Sequence, residues 1–453
     1  MTIHDLVEMQ RAAHRINHPY SVDDRIEMLE VLRSAILDRE QAICAALESD
    51  LGKSPGEAYM AEIGIVLSEI SCAVAHLRRW AAPKRVRTPL VLFPARSYIL
   101  REPYGVVLIM APWNYPFQLT MAPLVGALAA GNHCILKPSN YSPATSRVIF
   151  DLISDCFPQE IAAVVLGGRN ENQALLEERF DYIFFTGGVT VGKLVLEKAA
   201  RHLTPVTLEL GGKSPCIVDE SAHIPTAARR IAFGKALNSG QTCVAPDYLL
   251  VHEDVQEKLL NGIISCWRQF YGDPLSSPQW PKMISRRHYD RVMCLMDGQQ
   301  IYYGGQGDGE RIAPTILTNV TWNAPIMQEE IFGPVLPVIT YHSLDDAIEM
   351  INQREKPLAL YLFSKRPSVQ EKILQKVPFG GGCINDTVVH LSNHRLPFGG
   401  VGQSGMGGYH GKHSFDTFTH EKSIVKKGNW LDIRARYAPF TDKKTKLIKK
   451  LMK

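Results

Sequence analysis

Three short stretches place a reactive side chain on backbone that can bend around a small molecule: PWNYP at 112–116, LELGGKSP at 208–215 and NSGQTC at 238–243. Cys243 carries a thiol, which is a strong nucleophile once it loses its proton. Glu209 carries a carboxylate that can serve as a general base if burial raises its pKa. The side-chain amide of Asn114 can donate a hydrogen bond to a developing oxyanion. Together these groups indicate covalent catalysis at a carbonyl carbon.

Each of these residues also has an ordinary structural interpretation. A single cysteine is usually a small core residue, a glutamate at a strand end is usually solvated, and an asparagine beside proline is usually a turn residue. Taken one at a time, the ordinary interpretation is the more common. The functional interpretation depends on their joint occurrence, because each stretch follows a predicted strand or helix, where α/β enzymes build their sites.

A glycine-rich turn after the predicted strand 182–185 resembles a phosphate-binding loop. Gly187, Gly192 and Lys193 match that pattern, but Leu194 replaces the serine or threonine that would hold Mg²⁺. We therefore exclude a nucleoside triphosphatase. The strand, turn and helix that follow one another here still offer free backbone N–H groups to an anion. The pyrophosphate of a dinucleotide would suit that position.

Two other motifs carry less information. The range 400–405 reads G-x-G-x-x-G, but it has neither the preceding strand nor the following helix of a dinucleotide-binding turn. His390 and His394 have the spacing of a helical zinc site, yet Leu391 stands where a metalloprotease has glutamate. We predict an irregular loop and no metal.

The composition is that of a globular enzyme. The 453 residues include 45% hydrophobic and 21% charged residues, and the formal net charge is +4. This charge is too small for a nucleic-acid-binding face. The N-terminus lacks the apolar run of a signal peptide, and the apolar runs are too short to span a bilayer. The nine cysteines include no Cys-x-x-Cys pair, so we expect reduced thiols in a cytoplasmic protein.

Short apolar strands alternate with helices through most of the chain, which is typical of a doubly wound, mostly parallel α/β sheet. The hydrophobic spacing predicts long helices before residue 81 and a basic, proline-punctuated β hairpin after it. The predicted strands are 106–110, 134–136, 164–166, 182–185, 206–210, 216–218 and 248–251. The predicted helices are 21–50, 57–80, 117–130, 143–156, 189–201, 224–238 and 255–271. A glycine-rich loop region is expected over 385–409.

The last twelve residues contain six lysines among apolar residues. We expect a frayed, solvated terminus. A basic amphipathic helix that touches an anionic membrane surface is the alternative.

Taken together, the motifs resemble the aldehyde dehydrogenase family, and in particular its class 3 branch of fatty and aromatic aldehyde dehydrogenases. They occur in the family's order across nearly the whole chain. They are PWNYPF (112–117), LKPS (136–139), FTGGVTVG (185–192), TLELGGKSP (207–215), NSGQTCVAPDY (238–248), QEEIFGPVLPV (328–338), PLALYLFS (357–364), PFGGGCIND (378–386) and LPFGGVGQSGMGGYHG (396–411).

The resemblance implies a mechanism. Cys243 attacks the aldehyde carbon, and the side chain of Asn114 and the backbone N–H of Cys243 hold the oxyanion. Hydride transfer to the cofactor leaves a thioester, which water activated by Glu209 hydrolyses to the carboxylic acid. The same resemblance implies medium- or long-chain aliphatic or aromatic substrates. The alternatives are a CoA-acylating dehydrogenase, in which CoA releases the acyl group, and a non-catalytic structural relative.

The resemblance also implies how NAD or NADP binds. Lys137 would bind the adenosine ribose, and Glu330 the nicotinamide ribose, with Phe332 packing nearby. Gly187 and Gly192 match the turn on the phosphate side. Asn140 departs from the pattern, because many relatives carry there a glutamate that repels the 2′-phosphate of NADP. Strict NAD specificity is therefore not expected.

The fold implied is the aldehyde dehydrogenase fold: a Rossmann-like NAD(P)-binding domain, an α/β catalytic domain and a small β oligomerisation arm. We assign 1–85 and 102–208 to the first, 209–394 to the second, 86–101 and 395–430 to oligomerisation and bridging segments, and 431–453 to a basic tail. We expect a homodimer, a small aldehyde substrate, and neither a nucleic acid partner nor an integral membrane segment.

Overall fold

The strands among the described residues form three separate sheets. The computed structural model describes residues 1–17 and 20–452. The strands are β1 (Lys84–Val86), β2 (Ala95–Pro103), β3 (Val106–Met110), β4 (His133–Lys137), β5 (Ala162–Val164), β6 (Tyr182–Thr186), β7 (Val206–Glu209), β8 (Pro215–Val218), β9 (Tyr248–His252), β10 (Gln300–Tyr303), β11 (Thr315–Thr318), β12 (Val335–Tyr341), β13 (Ala359–Phe363), β14 (Gly381–Ile384), β15 (Gly405–Met406) and β16 (Thr419–Lys427).

Helices cover the two larger sheets. They are α1 (Ile3–Asn17), α2 (Val22–Asp38), α3 (Glu40–Leu51), α4 (Pro55–Ala58), α5 (Gly64–Ala81), α6 (Gln118–Ala130), α7 (Pro143–Cys156), α8 (Arg169–Glu177), α9 (Val189–Ala200), α10 (Ile224–Ala236), α11 (Gln256–Tyr271), α12 (Arg286–Cys294), α13 (Leu344–Asn352), α14 (Pro367–Lys376), α15 (Lys412–Thr417) and α16 (Asp442–Leu451). A π-helical turn, Tyr59–Ile63, joins α4 to α5.

The first sheet has six strands in the order β15-β7-β6-β3-β4-β5. Its five longer strands run parallel, and β15 pairs antiparallel with β7. All five residues of β3, β4 and β6 are buried, as expected for central strands that are covered on both faces. The doubly wound α/β prediction is confirmed here.

The second sheet has seven strands in the order β10-β11-β12-β9-β8-β13-β14. Only the edge strand β10 is antiparallel to its neighbour. The third sheet is an antiparallel arm of three strands, β1-β2-β16, in which β2 and β16 pair over nine residues. The arm combines the predicted hairpin with a strand more than 300 residues further along the chain.

Four sequence predictions need correction. The helix expected over 21–50 is two helices, because Arg39 leaves helical geometry (φ −107°, ψ 12°) and caps α2. The strand expected at 164–166 lies two residues earlier, as β5. The C-terminal residues expected to fray form α16. The helix expected over 57–80 is not α-helical throughout, because the π-helical turn Tyr59–Ile63 separates α4 from α5.

In the described residues, one continuous helical stretch, Pro55–Ala81, is long and apolar enough to cross a membrane by length and composition. Half of its most apolar window is buried against the rest of the protein. The predicted division into domains stays a prediction.

Candidate functional site

The carboxyl ends of adjacent parallel strands bring the separate motifs to one edge of the six-stranded sheet. Met110 of β3 pairs with Lys137 of β4 on one side and with Phe185 of β6 on the other. Thr186 of β6 pairs with Glu209 of β7. The turn that carries Asn114 and the glycine-rich turn both begin directly after these strands. This edge is where open α/β sheets bind their ligands.

A wide cleft of about 590 Å³ opens at this edge, between the two large sheets. It is lined by eight of the nine residues that the sequence assigned to catalysis and cofactor binding: Cys243, Glu209, Asn114, Lys137, Asn140, Gly187, Glu330 and Phe332. The structure therefore gathers residues that lie up to 218 positions apart in the sequence.

Gly192 is the residue that does not line the cleft. It lies on the buried side of α9, and a Cβ atom there would stand 2.6 Å from Cδ2 of Leu210. Its contribution is close packing of α9 against the strand segment that follows Glu209. Gly192 thus supports the phosphate-side turn by packing and does not line the cleft.

The loop before Cys243 has an unusual backbone. Asn238, Ser239 and Gly240 are all left-handed, with φ of 50°, 54° and 70°. Such geometry is strained for residues other than glycine, and surrounding contacts must hold it. Gly240 has no room for a side chain, since a Cβ there would lie 2.3 Å from the carbonyl oxygen of Gly333.

Asn114 is tied directly to this loop. It is 2% exposed, and its Nδ2 donates to the carbonyl oxygen of Gln241 at 3.1 Å. Its own carbonyl oxygen accepts from Nδ2 of Asn238 at 2.8 Å. An amide nitrogen carries two N–H groups, so the second N–H of Asn114 remains available to a ligand in the cleft.

Glu209 has an electrostatic environment that suits proton transfer. The side chain is 2% exposed, and neither of its oxygens has a hydrogen-bond partner among residues 1–17 and 20–452. Burial raises the pKa of this carboxyl well above its usual range. A carboxyl group held in this way exchanges protons near neutral pH more readily than a solvated one.

Cys243 is half-buried and lines the cleft together with Glu209. Burial raises the pKa of its thiol, and the nearby carboxyls of Glu330 and Glu209 raise it further. Burial also raises the pKa of Glu330 to about 8. The resting thiol is therefore protonated, and a nucleophilic role requires a base that takes its proton.

Several groups in the cleft fit a dinucleotide. The Lys137 ammonium donates to the carbonyl oxygens of Pro138 (2.9 Å) and Gly167 (2.8 Å), which leaves its third N–H for a ribose hydroxyl. The start of α9 lines the cleft, and within the described part of the chain no side chain caps it. Such a helix terminus suits a phosphate. The buried Oε1 of Glu330 also lacks a partner in that part of the chain, as a ribose-binding carboxylate would.

Sequence reasoning missed an aromatic wall of the cleft. Trp113 packs edge-on against Phe332, with ring centroids 5.3 Å apart, and lies 4.9 Å from the ring of His288. Phe332 itself has a φ of 50°. Trp113 stands inside the quoted PWNYP stretch and so had a signal, whereas nothing in its sequence context marks His288, at the start of α12.

A second, apolar cavity meets the cleft at Cys243. Its volume is about 150 Å³, the size that accommodates a benzene ring. Its lining includes Tyr115, Leu119, Phe233, Leu237, Phe398 and Tyr409. Cys243 lines both cavities, so its sulfur lies where a ligand from either side can reach it. This cavity is not predictable from the sequence, because its walls come from well-separated parts of the chain.

Comparisons with known proteins agree with this geometry. The sequence profile of the aldehyde dehydrogenase family matches residues 2–424. The chain is 51% identical, over 92% of each protein, to the 4,4'-diaponeurosporen-aldehyde dehydrogenase of Staphylococcus aureus. It is 45% identical to a dog protein named "Aldehyde dehydrogenase, dimeric NADP-preferring", over 98% of this chain and 99% of that one. It is also 45% identical to rat aldehyde dehydrogenase family 3 member B1, over 98% and 96%.

A solved structure described as the substrate-bound state of Staphylococcus aureus AldH covers 100% of both chains, with a TM-score of 0.98 and 48% identity. The fold is thus the aldehyde dehydrogenase fold, and the resemblance to class 3 is confirmed. The chain belongs to the aldehyde dehydrogenase family and is an NAD(P)-dependent aldehyde dehydrogenase related to its family 3 members.

Proposed function

We propose that this enzyme oxidises apolar aldehydes to carboxylic acids through a covalent intermediate on Cys243. The observation that carries the proposal is the position of Cys243, which lines both the cleft and the apolar cavity. An aldehyde in the apolar cavity can present its carbonyl carbon to the sulfur. A nicotinamide held in the cleft would supply the hydride acceptor.

The residues divide the reaction into two stages. Water in the cleft carries the thiol proton to solvent as Cys243 Sγ forms a bond to the carbonyl carbon. The free N–H of Asn114 and the backbone N–H of Cys243 hold the resulting oxyanion. Loss of hydride from the former aldehyde carbon restores the C=O bond as a thioester. Splitting oxidation from hydrolysis in this way lowers each barrier.

Glu209 then takes a proton from water as that water attacks the thioester. The carbon–sulfur bond breaks, the proton returns to sulfur, and the carboxylic acid leaves. The absence of hydrogen-bond partners on Glu209 among the described residues supports this role. An unpaired buried carboxyl is free to reorient toward water.

We propose that the substrates are medium- or long-chain aliphatic or aromatic aldehydes. The aromatic and aliphatic lining of the apolar cavity supports this choice, since burial of apolar surface drives binding there. The relative named for 4,4'-diaponeurosporen-aldehyde is in keeping with it.

We propose that the enzyme accepts NADP as well as NAD. Asn140 is exposed at the rim of the cleft and carries no charge that would repel a 2′-phosphate. The canine relative named as NADP-preferring supports the same view. Comparable kcat/KM for both cofactors would agree with the proposal, and a large preference for NAD would contradict it.

The assay that tests the proposal follows NAD(P)H formation over a series of aldehydes of increasing chain length, with both cofactors. Cys243→Ala should abolish turnover, whereas Cys294→Ala, at an exposed thiol on α12, should leave it unchanged. Product analysis with and without CoA separates hydrolysis from acyl transfer to CoA. Absence of NAD(P)H formation across the series would favour the non-catalytic alternative.

We also propose a homodimer in the cytoplasm. The name of the dimeric canine relative supports the first point. Residues 86–101 and 395–430, apart from β15, would serve as the oligomerisation segments. We also propose the division between the cofactor-binding and catalytic domains at 208/209. The passage of the chain from β7 of the six-stranded sheet to β8 of the seven-stranded sheet, close to this position, supports it.

A further inference from the structure

A fully buried ion pair lies directly behind the turn that carries Asn114. Lys53 and Glu62 are both 0% exposed, and Lys53 Nζ lies 2.5 Å from Glu62 Oε1. Neither residue lines the cleft or the apolar cavity. Burying two charges is costly unless good geometry and further hydrogen bonds compensate. The contacts of both charged groups with the neighbouring backbone provide this compensation.

Both partners bind the backbone of residues 114–118. Lys53 Nζ donates to the carbonyl oxygen of Asn114 at 2.9 Å and stands 4.0 Å from the centre of the Tyr115 ring. Glu62 Oε2 accepts from the backbone N–H groups of Phe117 and Gln118, both at 2.9 Å. The Lys53 ammonium thus binds the start of the turn at Asn114, and the Glu62 carboxylate binds its end at Phe117 and Gln118.

The same segment also reaches the loop of Cys243. Glu57 Oε1 accepts from the backbone N–H of Asn238 at 2.8 Å, at the first of the three left-handed residues. Nδ2 of Asn238 donates in turn to the carbonyl oxygens of Asn114 and Gln241. One stretch of ten residues, 53–62, thus binds both the Asn114 turn and the strained loop that precedes Cys243.

The local backbone is adapted to this task. Glu62 lies in the π-helical turn Tyr59–Ile63. Such turns occur mostly as single-turn bulges within α-helices and are frequent at functional sites. The wider turn changes the direction in which Glu62 projects relative to the α-helical residues on either side. We infer that Lys53, Glu57 and Glu62 are positioning residues that hold the Asn114 amide at the site of the oxyanion. This inference rests on the proposed oxyanion role of Asn114.

The central test variant is Glu62→Gln, which keeps the size of the side chain. Its carboxamide has one acceptor oxygen, so it cannot accept from both Lys53 and the two backbone N–H groups. We expect the pre-steady-state burst of NAD(P)H with benzaldehyde, at saturating cofactor, to slow about tenfold. This lies below the roughly 100-fold that a displacement of 1 Å can cost. The dissociation constant of NAD(P) should stay unchanged.

The matched control is Asp50→Asn. Asp50 is a buried carboxylate on α3 that accepts from the backbone N–H groups of Ala144 and Thr145 at the start of α7. This variant should lower Tm but keep the burst rate. If Glu62→Gln does not fold, the pair Lys53→Met with Glu62→Leu replaces it, because uncharged buried pairs are often as stable as ion pairs.

A double-mutant cycle with Asn114→Ala separates positioning from general stability. If Lys53, Glu57 and Glu62 act through Asn114, Glu62→Gln should not slow the burst further in the Asn114→Ala enzyme. Equal slowing in both backgrounds, an unchanged burst in Glu62→Gln, or equal slowing by Asp50→Asn would each overturn the inference. An unaffected burst in Asn114→Ala alone would instead remove the oxyanion role from the proposed function.

Discussion

Burial raises the pKa of both the Cys243 thiol and the Glu209 carboxyl. Both groups therefore hold their protons at a higher pH than their solvated counterparts would. Thiol attack requires loss of one proton, and thioester hydrolysis requires a base. We therefore expect activity to rise with pH through the neutral range. Thioester formation and thioester hydrolysis should be separable by replacing one side chain.

The residue whose replacement should separate them is Glu209. Glu209→Gln keeps the shape of the buried side chain but removes the base. We expect one turnover of NAD(P)H per active site to remain, and steady-state turnover to fall at least about 100-fold, the lower range for loss of a general base. Rapid-mixing absorbance at 340 nm measures both. Equal loss of the burst and of the steady state would give Glu209 a different role.

Glu57 should make stability depend on pH. Burial raises the pKa of its carboxyl from 4.5 to about 7, so the folded state binds this proton more tightly than the unfolded state. The contribution to stability is fully present below pH 4.5 and is lost as the pH rises through 7. Glu57→Gln has no charge to bury and should gain Tm relative to the native protein between pH 5 and pH 8.

Thermal unfolding at the two pH values measures that gain, which we expect to be a few degrees. Glu48→Gln, at an exposed position on α3, is the control and should show no such change. A Tm difference for Glu57→Gln that stays constant or shrinks as the pH rises would contradict the prediction.

Among the elements, α9 shows how helix packing sets the shape of the cleft. A Cβ at Gly192 would collide with Leu210, and overpacking of this kind costs about 1 kcal/mol or more. Gly192→Val should therefore tilt α9 and displace its first turn, which lines the cleft. We expect KM for the cofactor to rise about fivefold or more, the factor that 1 kcal/mol corresponds to, with less change in kcat.

Steady-state kinetics with varied cofactor test this. The control is Gly56→Ala, because a Cβ at Gly56, also in a helix, meets no atom of the described residues within 4 Å. An unchanged KM in Gly192→Val would mean that the turn does not depend on the packing of α9.

The elements also show what sequence patterns can and cannot predict. Strands such as β3 and β6 were predictable because every residue is buried and nearly all are apolar. The break at Arg39 was not, since no proline or glycine marks it. β12 contains Pro337, which argues against a strand interior, yet its pairing passes from β11 to β9 directly after that residue. Strand pairing is a property of the whole fold that local sequence does not encode.

The candidate site likewise has a part that the sequence predicts and a part that only the fold creates. The motifs identified Cys243, Glu209 and Asn114 because catalytic residue types stand there in specific contexts. The apolar cavity and the group formed by Lys53, Glu57 and Glu62 were not predicted. Their members are ordinary residue types that only folding brings together. A buried Lys53 and Glu62 look like solvated charges in the sequence.

On the scale of the whole molecule, the arm leaves apolar side chains in solvent. Leu90 is 86% exposed and Phe93 51%, and Phe93 contacts Trp430, which is 72% exposed. Exposed apolar patches of this kind mark interaction surfaces. In the proposed dimer, a second copy of the chain covers these side chains.

Light scattering coupled to size-exclusion chromatography should therefore give about twice the chain mass of 50.6 kDa for the native protein. Leu90→Asp, on the arm, should shift the equilibrium toward the monomer by burying an unpaired charge. Leu203→Asp, at a residue that is 90% exposed outside the arm, should leave the mass unchanged. A native monomer would exclude the dimer, and equal effects of both variants would exclude the arm as its interface.

Because Cys243 borders two cavities, the two reactants can enter and leave by separate routes. Departure of the reduced cofactor through the cleft need not wait for the acyl chain, and water can follow the cofactor to the thioester while the chain stays anchored. An unreactive alkyl or aryl compound that fills the apolar cavity should compete with the aldehyde but not with NAD(P). In the proposed reaction, the position of the Cys243 sulfur therefore allows the reduced cofactor to leave before the carboxylic acid.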